Sequence, residues 1–442
     1  MSAVASPHAD VEKYRRLLRS VVPLRSTGRV AKVVGLGIEV DGLNAGVGEL
    51  VKLHPSKGRE PMAAEVVGFR DDRVLLMPYG ELAGVELGCE VVGSGRLFDV
   101  PVGPALLGRV IDGLGRPLDG KGRIAASSRS MLLNDPPHPL TRSPIRDVYS
   151  TGVRAVDGPL TCGRGQRMGI FSGSGVGKST LMGMIARYSS CDVSVIALIG
   201  ERGREVQEFI DRDLGPEGLK RSVVVVSTSD QPALVRIKGA WVATAIAEYF
   251  RDQGGDVTLL MDSVTRFAMA QRELGLAVGE PPALRGYPPS VFALLPKLME
   301  RAGTSDVGAI TAFFTVLVEA DDMNEPITDT ARSVLDGHIV LSRDLAAENH
   351  YPAIDVLGSV SRVMDGIVTP EQRTYGGMLR EAMAIYRDAR DLINIGAYVA
   401  GSNPQIDRAI RLMPGITAFL RQRPEESTTF ADTVAGLRAV VS

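Results

Sequence analysis

Residues 166–180 read Gln-Arg-Met-Gly-Ile-Phe-Ser-Gly-Ser-Gly-Val-Gly-Lys-Ser-Thr, an apolar strand entering a loop with glycines at 173, 175 and 177 and leaving it as a helix. Glycine at those places lets several backbone N–H groups converge on one anion, and the helix N-terminus adds its positive end. Such a segment cradles the phosphates of a nucleoside triphosphate, with Ser172, Gly173, Ser174, Gly175, Val176, Gly177, Lys178, Ser179 and Thr180 as candidate contacts. Lys178 would reach the β- and γ-phosphates and Ser179 would ligate Mg2+. Ser172 departs from the usual pattern, which has glycine there. A glycine turn that merely contains a lysine lacks the flanking strand and the helix-spaced Leu181, Met184, Ile185 and Tyr188 found here.

A phosphate loop of this kind belongs at the C-terminal edge of a parallel sheet. Between residues 151 and 368 apolar strands (168–171, 193–199, 223–226, 257–261 and 309–318) alternate with amphipathic helices, the pattern of an α/β domain with a largely parallel, helix-covered sheet. Residues 28–95 have a different texture, short Val/Leu/Ile runs broken by glycine and aspartate, which predicts a small β-barrel. Residues 96–150, rich in proline and glycine, read as a connector with local turns, and helix-spaced apolar residues predict a helical C-terminal domain over 369–442. In residues 1–27, Ser6-Pro7 followed by Val11, Tyr14, Leu17, Leu18 and Val21 predicts one amphipathic helix. Its basic face of Lys13, Arg15, Arg16 and Arg19 is either solvated or docks a partner.

Bulk properties exclude several classes. A chain of 442 residues exceeds one core, and 44% hydrophobic with 23% charged residues is the balance of a globular protein. A net charge of −2 calls for no polyanionic partner. Cys89, Cys162 and Cys191 are too isolated for a disulfide framework or a zinc site, so a reducing cytosol is the expected compartment. No apolar stretch approaches the ~20 residues that span a bilayer, and any membrane association is expected to be peripheral.

Two further segments suit the same chemistry. Asp262 ends the strand 257–261, where a carboxylate can anchor the metal of an Mg-nucleotide; a strand-terminal aspartate also serves as a plain turn or cap. Gly200-Glu-Arg-Gly-Arg-Glu205 follows the strand 193–199. Glu201 could orient an attacking water and Arg202 could take up charge developing on the γ-phosphate, although a solvated charged turn has the same composition.

These residues, in this order along nearly the whole chain, resemble the rotary ATP synthase catalytic subunit family, which includes the type III secretion ATPases. The resemblance is carried by the phosphate loop, Gly200 to Glu205, Asp262-Ser-Val-Thr-Arg266, Tyr351-Pro-Ala-Ile-Asp355 and Ser359-Val-Ser-Arg362. Thr161 to Phe171, Arg266 to Arg272, Gly279 to Pro282 and Arg285 to Phe292 point within it to the flagellum-specific export branch. What the resemblance implies is a RecA-like domain that hydrolyses ATP with Mg2+. In it Lys178 binds phosphates, Ser179 the metal, Glu201 is the catalytic carboxylate, Arg202 and Arg266 lie near the γ-phosphate, and Glu205 and Asp262 hold the metal's water shell. Tyr351 would pack on adenine, although a tyrosine before a proline often only packs, and Arg362 would be an arginine finger entering a neighbouring subunit's site. The resemblance further implies a homohexamer, peripheral at the inner membrane, that meets regulatory and stalk proteins, export substrates and chaperones. Rival readings are an injectisome ATPase, a non-catalytic motor subunit, which Lys178 and Glu201 disfavour, and a hexameric RNA translocase. The last is poorly supplied for base stacking, since 28–92 contains only Phe69 and Tyr79 as aromatics.

Overall fold

In the computed structural model the described residues are Tyr14, Arg15, 25–56, 59–318 and 322–442. The expected amphipathic helix and its docking face fall almost wholly outside them. The chain divides into two compact units, Met1–Phe98 and Asp99–Ser442.

The first unit holds a closed barrel of β1 (Thr27–Val34), β2 (Gly37–Asp41), β3 (Glu49–His54), β4 (Met62–Arg70), β5 (Arg73–Pro78) and β6 (Glu90–Leu97). The order around it is β1-β2-β5-β4-β3-β6, which leaves no unpaired edge. Val30, Ile38, Val40, Val51, Leu53, Val66, Leu76 and Val91 fill its interior. Gly28 is required where β1 meets β2, because a Cβ there would come within 2.7 Å of the Asp41 carbonyl oxygen. Of the two aromatics in residues 28–92, Tyr79 is buried and hydrogen-bonded to Glu65, and Phe69 alone is exposed. This barrel therefore presents no aromatic platform for bases.

The second unit is built on a nine-stranded sheet. Its main order is Ile354–Ser361, Gly337–Leu341, Arg167–Ser172, Ala309–Leu317, Asp256–Asp262, Val193–Ile199, Ser222–Ser227, Arg109–Asp112, with the short Gly303–Thr304 added beside Ala309–Leu317. All pairings are parallel except those of Ile354–Ser361 and Gly303–Thr304. The inner strands Val193–Ile199 and Ser222–Ser227 are buried at every residue, as a sheet covered on both faces requires. Because the central strands are parallel, Ser172, Ile199, Asp262 and Leu317 all finish at one edge.

Four strands of this sheet were not read from the sequence: Gly303–Thr304, Gly337–Leu341, Ile354–Ser361 and Arg109–Asp112. Arg109–Asp112, within the segment read as a connector, pairs in parallel with Ser222–Ser227 as the last strand of the sheet. Only Ile111 in it is fully buried. The rest is held by polar contacts, Arg109 to Asp119 at 2.6 Å and Val110 N–H to the same carboxylate at 3.1 Å, which leave no apolar run to read.

Beyond the sheet, helices Pro370–Asn394, Pro404–Leu420 and Phe430–Val441 begin at Thr369, Asn403 and Thr429, whose side chains accept N–H bonds from the first turn. Leu379, Ile416, Phe419 and Leu437 join one hydrophobic cluster with Met168, Ile170 and Ile196 of the sheet, so these helices share its core. Among the described residues, no helix is long and apolar enough to cross a membrane.

A buried ion pair links the covering helices on the other face. The Arg301 guanidinium (side chain 1% exposed) grips Glu248 (4% exposed) with both nitrogens on one side, Nε to Oε1 at 2.7 Å, and lies over the Trp241 ring. Removing one partner strands the other charge, so Arg301→Ala is expected to destabilise the protein by about 3–5 kcal/mol. Urea unfolding of the variant and the wild type measures the difference.

Candidate active site

Strand Arg167–Ser172 delivers the chain into the loop 173–177, where Gly175 and Gly177 adopt positive φ of 79° and 88°. A Cβ at Gly173 would come within 2.5 Å of the Arg343 guanidinium, so this glycine is needed for close approach. Helix Lys178–Tyr188 then starts with no side chain capping its first turn. Its free N–H groups and positive dipole end are directed at the loop, the arrangement that receives an anion.

Lys178 donates to Asp262 Oδ1 and lies 3.5 Å from Glu201 Oε1. Both carboxylates come from the sheet edge: Asp262 ends one strand and Glu201 follows the neighbouring one by two residues. Thr315 Oγ1 donates to Asp262 Oδ1 at 2.7 Å and fixes that carboxylate. Burial works against the Lys178 charge, but Asp262 and then Glu201 outweigh it and hold the ammonium above its ordinary value. Burial, followed by the charge of Asp262, pushes the Glu201 carboxyl up to about 7; Lys178 opposes this rise and Glu205 adds to it. Two carboxylates thus share one ammonium, while Glu205 meets Glu201 and lies 3.7 and 3.8 Å from the guanidiniums of Arg202 and Arg204. Among the described residues no three acidic, histidine or cysteine side chains gather closely enough to hold a metal by themselves, so these oxygens, with the hydroxyl of Ser179 next to Lys178 in the chain, suit the water shell of a Mg2+ that arrives with its phosphates.

The remaining expected residues divide into those near this cluster and those away from it. Arg202 is 74% exposed and lies 3.7 Å from Glu205, with no contact to Lys178. The Arg266 stem packs against Gly200, where a Cβ would come within 2.9 Å of Arg266 Cβ, and its buried Nε has no partner among the described residues. Thr180 lies 3.4 Å from Asp213, on the far side of its helix turn from Lys178 in sequence spacing. Arg362 is the residue the fold does not bring to Lys178. It follows Ser361, which pairs with Gly337 at the start of the strand beside Arg167–Ser172, whereas the phosphate loop leaves from that strand's end. About five residues of strand, roughly 16 Å, separate the two levels. The Arg362 guanidinium donates to the Leu335 and Arg332 carbonyls at 3.1 and 3.2 Å.

The Tyr351 ring flanks the loop, 3.4 Å from where a Gly177 Cβ would stand. It opens onto a cavity of about 500 Å3 whose walls include Arg154, Asn349, Ala418, Arg421 and Glu426. On the loop's other flank, the Ser172 hydroxyl is buried without a protein partner among the described residues and lines a second cavity of about 240 Å3 beside Arg343. Sequence reasoning missed Thr315, Arg343 and Arg154. Thr315 is one of two threonines, with Thr311, inside an otherwise apolar strand, a weak but real signal, while the other two meet the site only through tertiary packing.

Comparison with known proteins agrees with this geometry. Residues 152–361 match the nucleotide-binding domain of the ATP synthase alpha/beta family, residues 30–95 match its beta-barrel domain, and residues 368–439 match the T3SS EscN ATPase C-terminal domain. The flagellum-specific ATP synthase of Treponema pallidum (strain Nichols) is 55% identical over 425 residues, covering 96% of this chain and 95% of that one. A type 3 secretion system ATPase of Xanthomonas euvesicatoria is 52% identical over 96% of both. Among solved structures, the assembled ATPase EscN from enteropathogenic E. coli, alone and in complex with its central stalk EscO, superposes with a TM-score of 0.88. It is 47% identical, over 94% of this chain and 100% of that one.

The raised Glu201 pKa makes a thermodynamic prediction. A carboxyl that titrates near 7 when folded and near 4.5 otherwise favours the folded state while protonated; that contribution is complete below about pH 4.5 and is lost as pH rises through about 7. Each pKa unit is worth about 1.4 kcal/mol. Glu201→Gln, uncharged at every pH, is therefore expected to be more stable than the nucleotide-free wild type at pH 8, by about 1–3 kcal/mol, with the gap closing towards pH 4.5. Thermal unfolding at the two pH values tests this.

Proposed function

The chain belongs to the ATP synthase alpha/beta family, in the branch of the flagellum-specific and type III secretion ATPases, and on that premise we propose that it hydrolyses Mg-ATP to energise export of flagellar proteins. The observation that carries the reading is the Lys178 ammonium held between Asp262 and Glu201 at the mouth of an uncapped helix. An enzyme that transfers a phosphoryl group to water needs little covalent chemistry of its own and much fixed charge.

In this reading the backbone of 173–177 and Lys178 bind the β- and γ-phosphates. Lys178 then exchanges its present carboxylate partners for phosphate oxygens. Glu201, half-buried beside the ammonium, accepts a hydrogen bond from the attacking water and aligns it with the γ-phosphorus. Mg2+ would be held by Ser179, with Glu205 and Asp262 on its water shell, and would neutralise charge on the phosphate oxygens. Arg266, whose buried Nε has no partner among the described residues, and Arg202, exposed and 3.7 Å from Glu205, would turn to the γ-phosphate. The Tyr351 ring would stack on the adenine in the 500 Å3 cavity.

The position of Arg362 supports assembly. At the opposite end of the sheet from its own Lys178, it can complete only a site on another copy, which favours a closed homohexamer as the active form. The EscN–EscO complex supports a central stalk as a partner; chaperones, export substrates and the inner-membrane export apparatus are further contacts that the family resemblance alone implies. An injectisome role uses the same chemistry, and the near-equal identity to the Xanthomonas relative keeps it as the second reading.

Glu201→Gln is expected to bind ATP as the wild type does and to lose turnover by at least about 100-fold, measured by nucleotide titration and phosphate release; retained turnover would remove Glu201 from the mechanism. Mixing Arg362→Ala with Lys178→Ala chains is expected to restore part of the activity that each lacks alone, whereas inactivity at every ratio would argue against shared sites. In a strain lacking the gene, the wild-type chain and not Glu201→Gln should restore secretion of flagellar subunits. Restoration of injectisome effectors instead would select the second reading, and stimulation by single-stranded RNA would favour a translocase.

A further inference from the structure

Gln422 lies on the segment between helices Pro404–Leu420 and Phe430–Val441 and is 4% exposed. Its amide is fully engaged. The Oε1 accepts from the Arg154 backbone N–H at 2.8 Å, and Nε2 donates to the carbonyls of Gly152 and Glu426, each at 2.8 Å. Its own backbone N–H donates to the Tyr351 carbonyl at 2.9 Å. One residue of the C-terminal helical region therefore ties together the start of the nucleotide-binding domain, its own loop and the tyrosine beside the phosphate loop. Arg154 reinforces the join from the other side, its guanidinium donating to the Phe419 carbonyl at 2.9 Å and to the Arg421 carbonyl.

Tyr351 is 40% exposed, so the packing that holds its ring is incomplete and the ring's place depends on its backbone. That backbone is bonded to Gln422. We infer that Gln422 is a positioning residue through which the C-terminal helices set the Tyr351 ring against Gly177, so that the packing of those helices controls affinity for the base of the nucleotide. The inference rests on the reading that Tyr351 stacks on the base. By linkage the coupling runs both ways: nucleotide that engages Tyr351 tightens the 419–426 segment, and a shift of helix Pro404–Leu420 loosens the base pocket while leaving the phosphate cradle, on another strand, in place.

The test compares ATP with inorganic tripolyphosphate, which offers the loop its phosphates and offers Tyr351 nothing. Gln422→Leu keeps the volume and removes the hydrogen bonds of the amide. It is expected to weaken ATP binding about three- to ten-fold, the range of one or two lost hydrogen bonds, with a smaller loss for tripolyphosphate. In the Tyr351→Ala background the same change is expected to add nothing. Gln422→Asn, which retains an amide too short to reach both ends, should fold even where Leu does not and should weaken ATP in the same direction. Equal losses for both ligands, or additive effects of Gln422 and Tyr351, would overturn the inference and leave Gln422 a structural tie. If Tyr351→Ala binds ATP as tightly as the wild type, the base-stacking reading itself falls, and the inference with it.

Discussion

A single ammonium surrounded by more negative charge than it can neutralise is the interaction on which this molecule depends. Lys178 is half-buried and answers both Asp262 and Glu201, and Glu205, beside Arg202 and Arg204, adds its charge to Glu201 from the rim. The imbalance is visible in Glu201, which is driven towards its neutral form. A fold optimised only for stability would not retain two acids on one lysine with one of them driven neutral. The cluster is intelligible as a seat for a ligand that brings both a cation and phosphate, and whose arrival redistributes every charge in it.

The sheet exists to make that cluster possible. Parallel pairing puts the ends of Arg167–Ser172, Val193–Ile199, Asp256–Asp262 and Ala309–Leu317 on one edge, so residues more than a hundred positions apart converge without any of them leaving a rigid strand end. Apolar side chains on both faces hold those strands, and the C-terminal helices add to the same core. Chemistry and stability are therefore separated in space, with the polar residues at the edge and the apolar ones within.

What the sequence disclosed follows from this separation. Lys178, Glu201 and Asp262 stood out because each directly follows an apolar strand or a glycine loop, a pattern local in the chain. Thr315 was hidden because two threonines in a run of nine strand residues do not alter its apolar character, and nothing local tells Thr315 from Thr311. Arg343 and Gln422 act through contacts with residues far along the chain, Gly173 and Tyr351, which no local pattern encodes. Arg109–Asp112 escaped because its place in the sheet is secured by a carboxylate and a guanidinium in a segment whose prolines and glycines spell turns. The amphipathic helix expected in residues 1–27 lies almost wholly outside the described residues and stands as a sequence expectation.

Lys178 and Arg362 stand at opposite ends of the strands of one sheet, which gives the chain a direction. In any head-to-tail row that brings the arginine of one copy to the lysine of the next, both end copies are defective, one with an unused arginine and one with an unfinished pocket. Each added copy extends the row without curing its ends. Closure alone cures them, because it joins the last pocket to the first arginine. If sites are shared as proposed, incomplete assemblies would waste subunits rather than ATP, since the unfinished pocket would be the one without its arginine.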